Sequence, residues 1–435
     1  YGFVAHYYED KGIRKRRCEI ERIVSGCVGV RRTTGQHPGG IVVLPIGEEI
    51  YSFTPVQRPA NDMTTSTVTT HFDYHSIDHN LLKLDILGHQ DPTMIRMLQD
   101  LTGLDPVKDI PLDSPEVMSL FQNTSALGIT PEDIGGCKLG ALGIPEFGTD
   151  FAMQMLIDAQ PKYFSDLVRI AGLAHGTDVW LGNAKDLILS GQATIQTAIC
   201  CRDDIMVYLI QMGLEEGLSF TIMESVRKGK GLKPEWIEEM KKHDVPQWYI
   251  DSCLKIKYMF PKAHAAAYVM MAWRVAYCKV FYPLAYYAAF FSIRANGFSY
   301  ELMCQGRDKL EYHLADFKKR ADSLSKAEQD TLRDMRIVQE MYARGYDFMP
   351  IDIYRAQADR FQVIDGKLMP SLSSIAGLGL NAAEGVVYAA KDGPFLSRED
   401  FRARTKVSKT ICDLMSDLGL LGDLPESNQL SLFDF

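Results

Sequence analysis

The spacing of apolar residues changes near residue 91, and this change limits the possible folds more than any other feature. Before it, residues 1–30 are predicted to be helical, because Ile20, Ile23, Val24 and Cys27 recur at helical spacing. From residue 31 to residue 90, short apolar runs alternate with polar and glycine-containing loops, which is typical of short strands. After it, apolar residues recur at helical spacing almost to the end of the chain. The sequence therefore predicts a mainly α protein with a small α+β part, and its 435 residues suffice for about two to four domains.

Composition narrows the class of protein. Hydrophobic content of 46% and charged content of 24% are ordinary for a globular chain, and no apolar run is long enough to span a membrane. The nine cysteines form no Cys-x-x-Cys pair and Tyr1 begins no targeting signal, so we expect a cytoplasmic protein with reduced thiols, and a piece of a longer polypeptide. The net charge of −9 argues mildly against nucleic-acid binding, although local basic patches decide that question.

The clearest strand pattern covers residues 82–86. Apolar side chains alternate there with charged ones: Leu82, Leu84 and Ile86 with Lys83 and Asp85. The alternation predicts a strand with one buried apolar face, and Asp91 and Pro92 then suit the N-cap and first position of a helix. Near the end of such a strand the Asp85 carboxylate can hold a divalent cation. The alternative is a solvated aspartate on an exposed strand face.

Two other polar stretches precede residue 91. The loop at residues 31–40 is rich in glycine and contains His37, so it is either a phosphate-binding loop or an ordinary connection. His71, His75 and His79 recur every four residues, a spacing that suits zinc on a helix. The β-branched and aromatic residues around them favour a strand and a turn instead, so we do not expect a zinc site.

Cations occur at two informative places in the helical region. Arg202 belongs to the segment 201–204, which opens an apolar run at 205–209, so it is either a surface ion-pair partner or an anion ligand at a helix start. Residues 227–233 form a basic patch that includes Lys228 and Lys230. Such a patch is either a solvated surface or part of a site for a negatively charged ligand.

A third stretch combines several chemical groups. Pro261 marks the start of a long helix whose first residues include Lys262 and His264, and Tyr258 precedes it. A cation, an imidazole and a stacking ring are thus placed within a few residues of one another. That set suits the phosphates and the base of a nucleoside triphosphate.

Two features stand near the end of the chain. Gly377 and Gly379 form a Gly-x-Gly turn before a helix that contains Asn381, which is the pattern of a helix-hairpin-helix element. The glycines leave backbone N–H groups available to a DNA phosphate without reading sequence. A polar linker then leads to a short apolar peptide, which is either a frayed tail or a ligand for a partner's groove: Gln429, Leu430, Leu432 and Phe433.

In this order, the stretches resemble the alpha subunit of bacterial DNA polymerase III, a C-family replicative polymerase, and most closely its PolC type. The resemblance covers essentially the whole chain and is carried by residues 32–40, 83–88, 175–183, 201–204, 261–268 and 429–433. It implies four regions: the C-terminal part of the palm in 1–92, large helical fingers in 93–299, a duplex-binding domain with a helix-hairpin-helix in 300–424, and a linker and sliding-clamp-binding tail in 425–435.

The resemblance also implies an activity and a set of site residues. The activity is template-directed 5′–3′ DNA synthesis from deoxynucleoside triphosphates (dNTPs) with two Mg²⁺ ions, for which Asp85 is one ligand. The other palm aspartates belong to a Pro-Asp-Ile-Asp type of strand, which this sequence lacks. Nucleotide-binding roles are implied for eight residues: His37, His175, Arg202, Lys228, Lys230, Tyr258, Lys262 and His264. DNA contacts are implied for Gly377, Gly379 and Asn381.

The implied partners are primer–template DNA, dNTPs, the beta sliding clamp and other replisome subunits, with no membrane. A rival interpretation is a non-catalytic DNA-binding and clamp-binding module, which would show the same hairpin, basic patches and tail. A DNA-repair enzyme is a third interpretation, but it would need a catalytic lysine or aspartate directly after the hairpin. Only Asn381 and Glu384 are found there before Lys391, so the sequence disfavours it.

Overall fold

Helices and a few short strands make up the chain in the computed structural model, which describes residues 1–30, 35–86 and 88–427. The mainly α prediction is thereby confirmed. The residues divide into two units, Tyr1–His89 and Gln90–Phe435. Of the helices in the described ranges, none has both the length and the hydropathy that a membrane span needs. The tail residues predicted to bind a clamp lie outside the described residues: Gln429, Leu430, Leu432 and Phe433.

The first unit combines helices with small antiparallel sheets. Its elements are α1 (Gly2–Asp10), α2 (Arg17–Cys27), β1 (Gly40–Val43), β2 (Val56–Gln57), β3 (Thr69–Thr70) and β4 (Leu82–Asp85), with 3-10 turns at Ile50–Ser52, Pro59–Asn61 and Tyr74–Ser76. Strand β1 pairs with β4, and β2 pairs with β3. The strand predicted at residues 82–86 is therefore present as β4.

The burial of β4 differs from the prediction. Its apolar side chains Leu82 and Leu84 are 58% and 44% exposed, and Ile86, which directly follows β4, is 60% exposed. Opposite them, β1 adds Ile41 and Val43, which are exposed as well. Alternation determines which side chains share a face of a strand, but a two-stranded sheet is too small to cover that face. The predicted buried face was wrong for this reason.

The second unit is helical apart from one β-hairpin. Its first helices are α3 (Gln90–Thr102), α4 (Pro115–Ser119), α5 (Asp150–Ala159), α6 (Phe164–His175), α7 (Lys185–Leu189), α8 (Arg202–Gln211), α9 (Glu216–Arg227), α10 (Pro234–Lys242), α11 (Gln247–Lys255), α12 (Lys262–Phe281) and α13 (Pro283–Ala289). The later elements are α14 (Tyr300–Met303), α15 (Arg307–Lys319), α16 (Lys326–Ala343), β5 (Gln362–Ile364), β6 (Lys367–Met369), α17 (Leu380–Ala390), α18 (Arg398–Thr405) and α19 (Lys409–Asp417).

Helix α12 lies at the centre of the second unit. It packs against α3, α4, α6, α8 and α13. Its buried face consists mostly of small or flat side chains, among them Ala265, Ala272, Trp273 and Ala276. Small residues let neighbouring helices approach closely, so one helix can touch several others. A separate apolar core, which includes Met369, Val386, Phe401 and Met415, stabilises the C-terminal region that contains β6, α17, α18 and α19.

A fully buried ion pair joins the C-terminal end of α12 to α16. The Nζ atom of Lys279 lies 2.9 Å from Oε1 of Glu340, and neither side chain is exposed. Lys279 also donates hydrogen bonds to the carbonyl oxygens of Gly140 (2.7 Å) and Leu142 (2.5 Å). The Tyr287 hydroxyl donates to Glu340 at 2.7 Å. Because every charged atom has a partner, this pair can stay in a region without water.

We expect Lys279→Met to lower the free energy of unfolding of the helical unit by about 3–5 kcal/mol, because it leaves the Glu340 carboxylate buried without a counter-charge. The double variant Lys279→Met/Glu340→Leu should recover most of that loss. Urea denaturation followed by circular dichroism measures both. As a control, Arg355→Met breaks the solvent-exposed pair with Asp352 (2.7 Å) and should cost less than about 1 kcal/mol. Equal losses of unfolding free energy for Lys279→Met and Arg355→Met would show that Lys279 does not stabilise the buried Glu340 carboxylate.

Candidate functional site

Several parts of the second unit meet at residues 256–261, the segment between α11 and α12. The backbone N–H of Thr177, after α6, donates to the carbonyl of Tyr258 (2.9 Å). The N–H of Arg202, at the start of α8, donates to the carbonyl of Phe260 (3.1 Å). These main-chain bonds hold the turn after α6 and the start of α8 against the start of α12.

Glycine lets the end of α9 approach the same segment. The N–H of Met259 donates to the carbonyl of Arg227 at 3.2 Å. Gly229 follows with φ +68°, and a Cβ atom added there would lie 2.5 Å from the carbonyl oxygen of Lys257. Only glycine suits both that backbone conformation and that distance. The basic turn that carries Lys228 is therefore held close to the start of α12.

Two aspartates fasten the start of α8 to the start of α12. The Asp203 carboxylate accepts a hydrogen bond from the backbone N–H of Lys262 at 2.6 Å. The Asp204 carboxylate accepts one from the N–H of Cys201 at 2.9 Å, and its other oxygen lies 2.8 Å from Nζ of Lys262. A carboxylate at a helix N-terminus satisfies its unpaired N–H groups. The two aspartates thus fix Lys262 relative to Arg202.

Glu224 of α9 lies among three cations. Its carboxylate accepts hydrogen bonds from Nε (2.5 Å) and Nη2 (2.9 Å) of Arg227. The Nζ atom of Lys228 lies at 2.9 Å and Nη1 of Arg202 at 3.6 Å. The hydrogen bond from Arg227, followed by that from Lys228, lowers the pKa of Glu224 to about 2. The group is therefore ionised at neutral pH and offsets part of the positive charge around it.

Aromatic rings from the segment before α12, from the first turn of α12 and from the end of α6 lie close together. The rings of His264 and Phe260 are stacked, with centroids 4.7 Å apart. Tyr258 meets Phe260 edge-on at 5.1 Å, and its side chain is exposed. His175 lies edge-on to His264 at 5.6 Å, and its Nε2 is 2.7 Å from the Glu146 carboxylate. We call the rings of Tyr258, Phe260, His264 and His175 the ring platform.

The structure brings most of the predicted nucleotide-binding residues to this one segment. They are His175, Arg202, Lys228, Tyr258, Lys262 and His264. Lys230 lies in the turn after α9, where its backbone N–H donates to the carbonyl of Ser225 at 3.0 Å. His37 belongs to the first unit.

Several partners of these residues were not predicted. Glu224 carried a signal, because it precedes Arg227 and Lys228 by three and four residues, the spacing of neighbours on one helix face. For Asp203 the sequence signal was weak, since it consisted only of the position of Asp203 at a helix start. Its partner Lys262 is 59 residues away in sequence. Glu146 and Phe260 carried no signal.

In the first unit, Asp85 stands at the end of β4 opposite Gly40 of β1. Its half-exposed carboxylate lies 3.3 Å from Nζ of Lys83 and 3.9 Å from Nε2 of His37. The Nδ1 atom of His37 accepts hydrogen bonds from the N–H groups of Gly39 (3.2 Å) and Gly40 (2.6 Å). In the neutral ring the proton therefore sits on Nε2, the nitrogen that faces Asp85.

The described residues do not fit a divalent metal site by themselves. Within residues 1–30, 35–86 and 88–427, no group of three His, Cys, Asp or Glu side chains could hold a metal ion. Asp85 supplies one carboxylate beside Lys83 and His37. Mg²⁺ prefers several oxygen ligands, so one carboxylate is not enough. Among the candidate zinc ligands, Nδ1 of His71 is 2.7 Å from the side-chain oxygen of Gln57.

The predicted hairpin is formed around Gly377 and Gly379. Gly377 has φ +79°, Gly379 is the N-cap of α17, and Asn381 lies in the first turn of that helix. A 3-10 turn at Leu372–Ser374, not a regular helix, precedes the hairpin. The Ser374 hydroxyl donates to the Ser371 carbonyl at 2.5 Å, a bond of the kind that competes with helix formation.

Three protein-family models match the chain. Residues 91–244 match the bacterial DNA polymerase III alpha subunit finger domain. Residues 4–88 match the bacterial DNA polymerase III alpha NTPase domain, and residues 345–430 match a helix-hairpin-helix motif. Arg202 and Lys228 thus fall within the finger match, and Gly377, Gly379 and Asn381 within the hairpin match.

Curated relatives are similar along the whole chain. The DNA polymerase III PolC-type of Bacillus subtilis is 56% identical over 433 residues, and that of Staphylococcus aureus is 54% identical over 434 residues. The protein of the same name from Caldanaerobacter subterraneus subsp. tengcongensis is 52% identical over 433 residues. Each comparison covers 100% of this chain, which spans only 30–31% of the length of these relatives. The chain belongs to the bacterial DNA polymerase III alpha-subunit family, of the PolC type.

Proposed function

We propose that this chain binds the incoming dNTP and the primer–template within a longer polymerase, and that the whole enzyme performs template-directed 5′–3′ DNA synthesis in bacterial chromosome replication. One observation carries the proposal: Arg202, Lys228 and Lys262 gather beside the ring platform. Arginine and lysine bind phosphates, and aromatic rings stack on bases. Membership of the PolC-type family supports the same function.

Each residue of the site has a proposed role. Arg202, Lys228, Lys230 and Lys262 face the triphosphate, and the ring platform lies against the base pair that forms. In the reaction, the primer 3′-hydroxyl oxygen bonds to the α-phosphorus, the bond from that phosphorus to the bridging oxygen breaks, and pyrophosphate leaves. The hydroxyl proton is lost in the same step. Cations around the triphosphate stabilise the charge that develops on its oxygens.

The first unit, within residues 1–92, is proposed to be part of the palm. The sheet of β1 and β4 has an exposed apolar face, and such a face indicates contact with further protein. Asp85 is proposed as one carboxylate ligand of the two Mg²⁺ ions, and its partner aspartates lie outside this chain. When bound, Mg²⁺ neutralises charge on the phosphates. His37 is proposed to contact the nucleotide from this unit.

The remaining regions are proposed to hold DNA and the replisome. Residues 93–299 form the fingers, and residues 300–424 bind the duplex through the hairpin with Gly377, Gly379 and Asn381. Residues 425–435 reach the beta sliding clamp, and other replisome subunits are further partners. The hairpin conformation, with Gly377 at positive φ and Gly379 capping α17, supports phosphate binding without sequence readout.

An alternative for the isolated chain is a non-catalytic module that binds DNA and clamp. It is favoured by the described residues, among which no group of three His, Cys, Asp or Glu side chains could hold a metal ion. Primer extension with Mg²⁺ separates the two functions when it is measured for the 435-residue chain and for the full-length enzyme that carries it. Extension by the full-length enzyme alone supports the proposal, and binding without extension by both supports the alternative.

For the full-length enzyme, we expect Asp85→Asn to lower the rate of primer extension by roughly 100-fold or more, because a metal ligand loses its charge. DNA affinity, measured by fluorescence anisotropy, should stay close to the original value. Asp78→Asn is a matched control, since Asp78 is a partly exposed aspartate of the same unit that lies near His75 and His79. Normal synthesis by Asp85→Asn would remove Asp85 from the metal site.

We expect Arg202→Ala to raise the KM for dNTP by roughly 10- to 100-fold, because a charge-assisted contact to phosphate is lost. Steady-state primer extension at several dNTP concentrations measures the change. Arg96→Ala removes an exposed arginine that pairs with Asp100 on α3, so it should leave the KM unchanged. An unchanged KM for Arg202→Ala would show that this residue does not contact the nucleotide.

Deletion of residues 429–433 should abolish the gain in product length that the clamp gives and spare synthesis without the clamp. A short apolar peptide binds a groove through its side chains, and the deletion removes Leu430, Leu432 and Phe433 together. Product lengths on a long single-stranded template, with and without clamp, measure the effect. Replacement of the same residues by Gly and Ser at equal length is the control for linker length. Continued stimulation by the clamp would refute this role.

A further inference from the structure

We infer that Glu224 occupies the position that a phosphate group takes in the proposed nucleotide site, and that a triphosphate must displace it from Arg202 and Lys228. Glu224 therefore sets how much phosphate charge a ligand must bring in order to bind. This inference rests on the proposed nucleotide site and adds a competitor that belongs to the protein itself. Its support comes from the positions and bonds of the four charged side chains.

The contacts of Glu224 with the three cations are unequal. Arg227 is three residues away on the same helix and binds both carboxylate oxygens, at 2.5 and 2.9 Å. Lys228 is four residues away and lies 2.9 Å from Oε2. Arg202 comes from α8, and its Nη1 is 3.6 Å from Oε1. Arg227, on the same helix, thus contacts both oxygens of Glu224, whereas Lys228 and Arg202 each lie near one oxygen.

Arg202 has hydrogen-bonding capacity that Glu224 does not use. Its Nε atom is buried and has no hydrogen-bond partner among the described residues. A buried donor without a partner is costly, so a ligand oxygen that reached it would be stabilised. A tetrahedral phosphate offers three oxygens in different directions, whereas a carboxylate offers two in one plane. Phosphate therefore suits Arg202 and Lys228 together better than Glu224 does.

Asp204 is a carboxylate of the same site that is held more rigidly than Glu224. Its oxygen accepts hydrogen bonds from the backbone N–H groups of Cys200 (3.1 Å) and Cys201 (2.9 Å). The described partners of Glu224 are instead side chains, those of Arg227 and Lys228, and the side chain of Glu224 is longer than that of Asp204. Glu224 can therefore swing away from Arg202 and Lys228, while Asp204 stays in place beside Lys262.

The charge balance gives the direction of the effect. Arg202, Arg227 and Lys228 carry three positive charges against one negative charge on Glu224. A triphosphate carries enough negative charge to replace the carboxylate, whereas a ligand with a single phosphate carries less negative charge and competes less well. Neutralising Glu224 should strengthen the binding of any phosphate ligand that uses Arg202 and Lys228. Ligands that do not use them should be unaffected.

The test is isothermal titration calorimetry of the 435-residue chain with inorganic tripolyphosphate and with dGTP, in EDTA and at low ionic strength. We expect Glu224→Gln to lower the dissociation constants of both ligands by about three- to tenfold. Glu224→Asp, whose shorter side chain keeps the charge but cannot span the cluster, should lower them less. Glu239→Gln is the matched control, since Glu239 faces Lys242 and His243 at the same three- and four-residue spacings on α10.

The outcomes separate this inference from the proposed function. Tighter binding for Glu224→Gln, with no change for Glu239→Gln, supports it. If Arg202→Ala weakens tripolyphosphate binding but Glu224→Gln leaves it unchanged or weaker, the inference is overturned and the proposed site stands. If the unaltered chain binds neither probe, or Arg202→Ala has no effect, the proposed nucleotide site is wrong and the inference falls with it. Thermal unfolding midpoints within a few degrees of that of the unaltered chain establish that both Glu224 variants are folded. If Glu224→Gln fails to fold, Glu224→Asp decides: tighter binding supports the inference, and unchanged binding overturns it.

Discussion

The second unit depends on the buried ammonium group of Lys279. Its hydrogen bonds go to the carbonyls of Gly140 and Leu142 and to the Glu340 carboxylate, away from solvent. Burial lowers the pKa of this lysine, and the negative charge of Glu340 acts in the opposite direction. A charge in such a place is tolerated only when all of its donors are satisfied. The loop around residue 140, α12 and α16 are therefore held in one arrangement, since moving any of them leaves a buried charge unpaired.

The same helix that ends at this pair begins at the candidate site. Lys262 and Lys279 are separated along α12 by about 25 Å, given the rise of an α-helix. Asp203 holds the first turn through the N–H of Lys262, and the buried ion pair holds the last turns. A helix fixed at both ends and packed along its length presents Lys262 and His264 in set positions. Ligand binding then costs less ordering of side chains than it would on a loose loop.

The sequence was sufficient for features that depend on neighbours along the chain. It predicted the strand that contains Asp85, the long helix that follows Pro261 and the turn at Gly377. It failed where a distant segment decides the result. The apolar face of β4 was expected to be buried, but nothing in its alternation says whether a second layer covers it. The sequence did not decide whether Arg202 is an ion-pair partner or an anion ligand. It also did not predict Glu224, the partner of Arg202 from another helix.

The net charge of the chain differs in sign from the charge of the cation cluster at the candidate site. The chain carries a net charge of −9, yet Arg202, Arg227, Lys228 and Lys262 lie close together in it. Charges separated by more than about 8–10 Å are largely screened at ordinary salt, so distant acidic groups hardly affect a ligand here. The nearby acids are bound to these cations and hold them in place. The proposed binding of a polyanion would depend on the local surplus of positive charge, and the carboxylates of the site reduce that surplus.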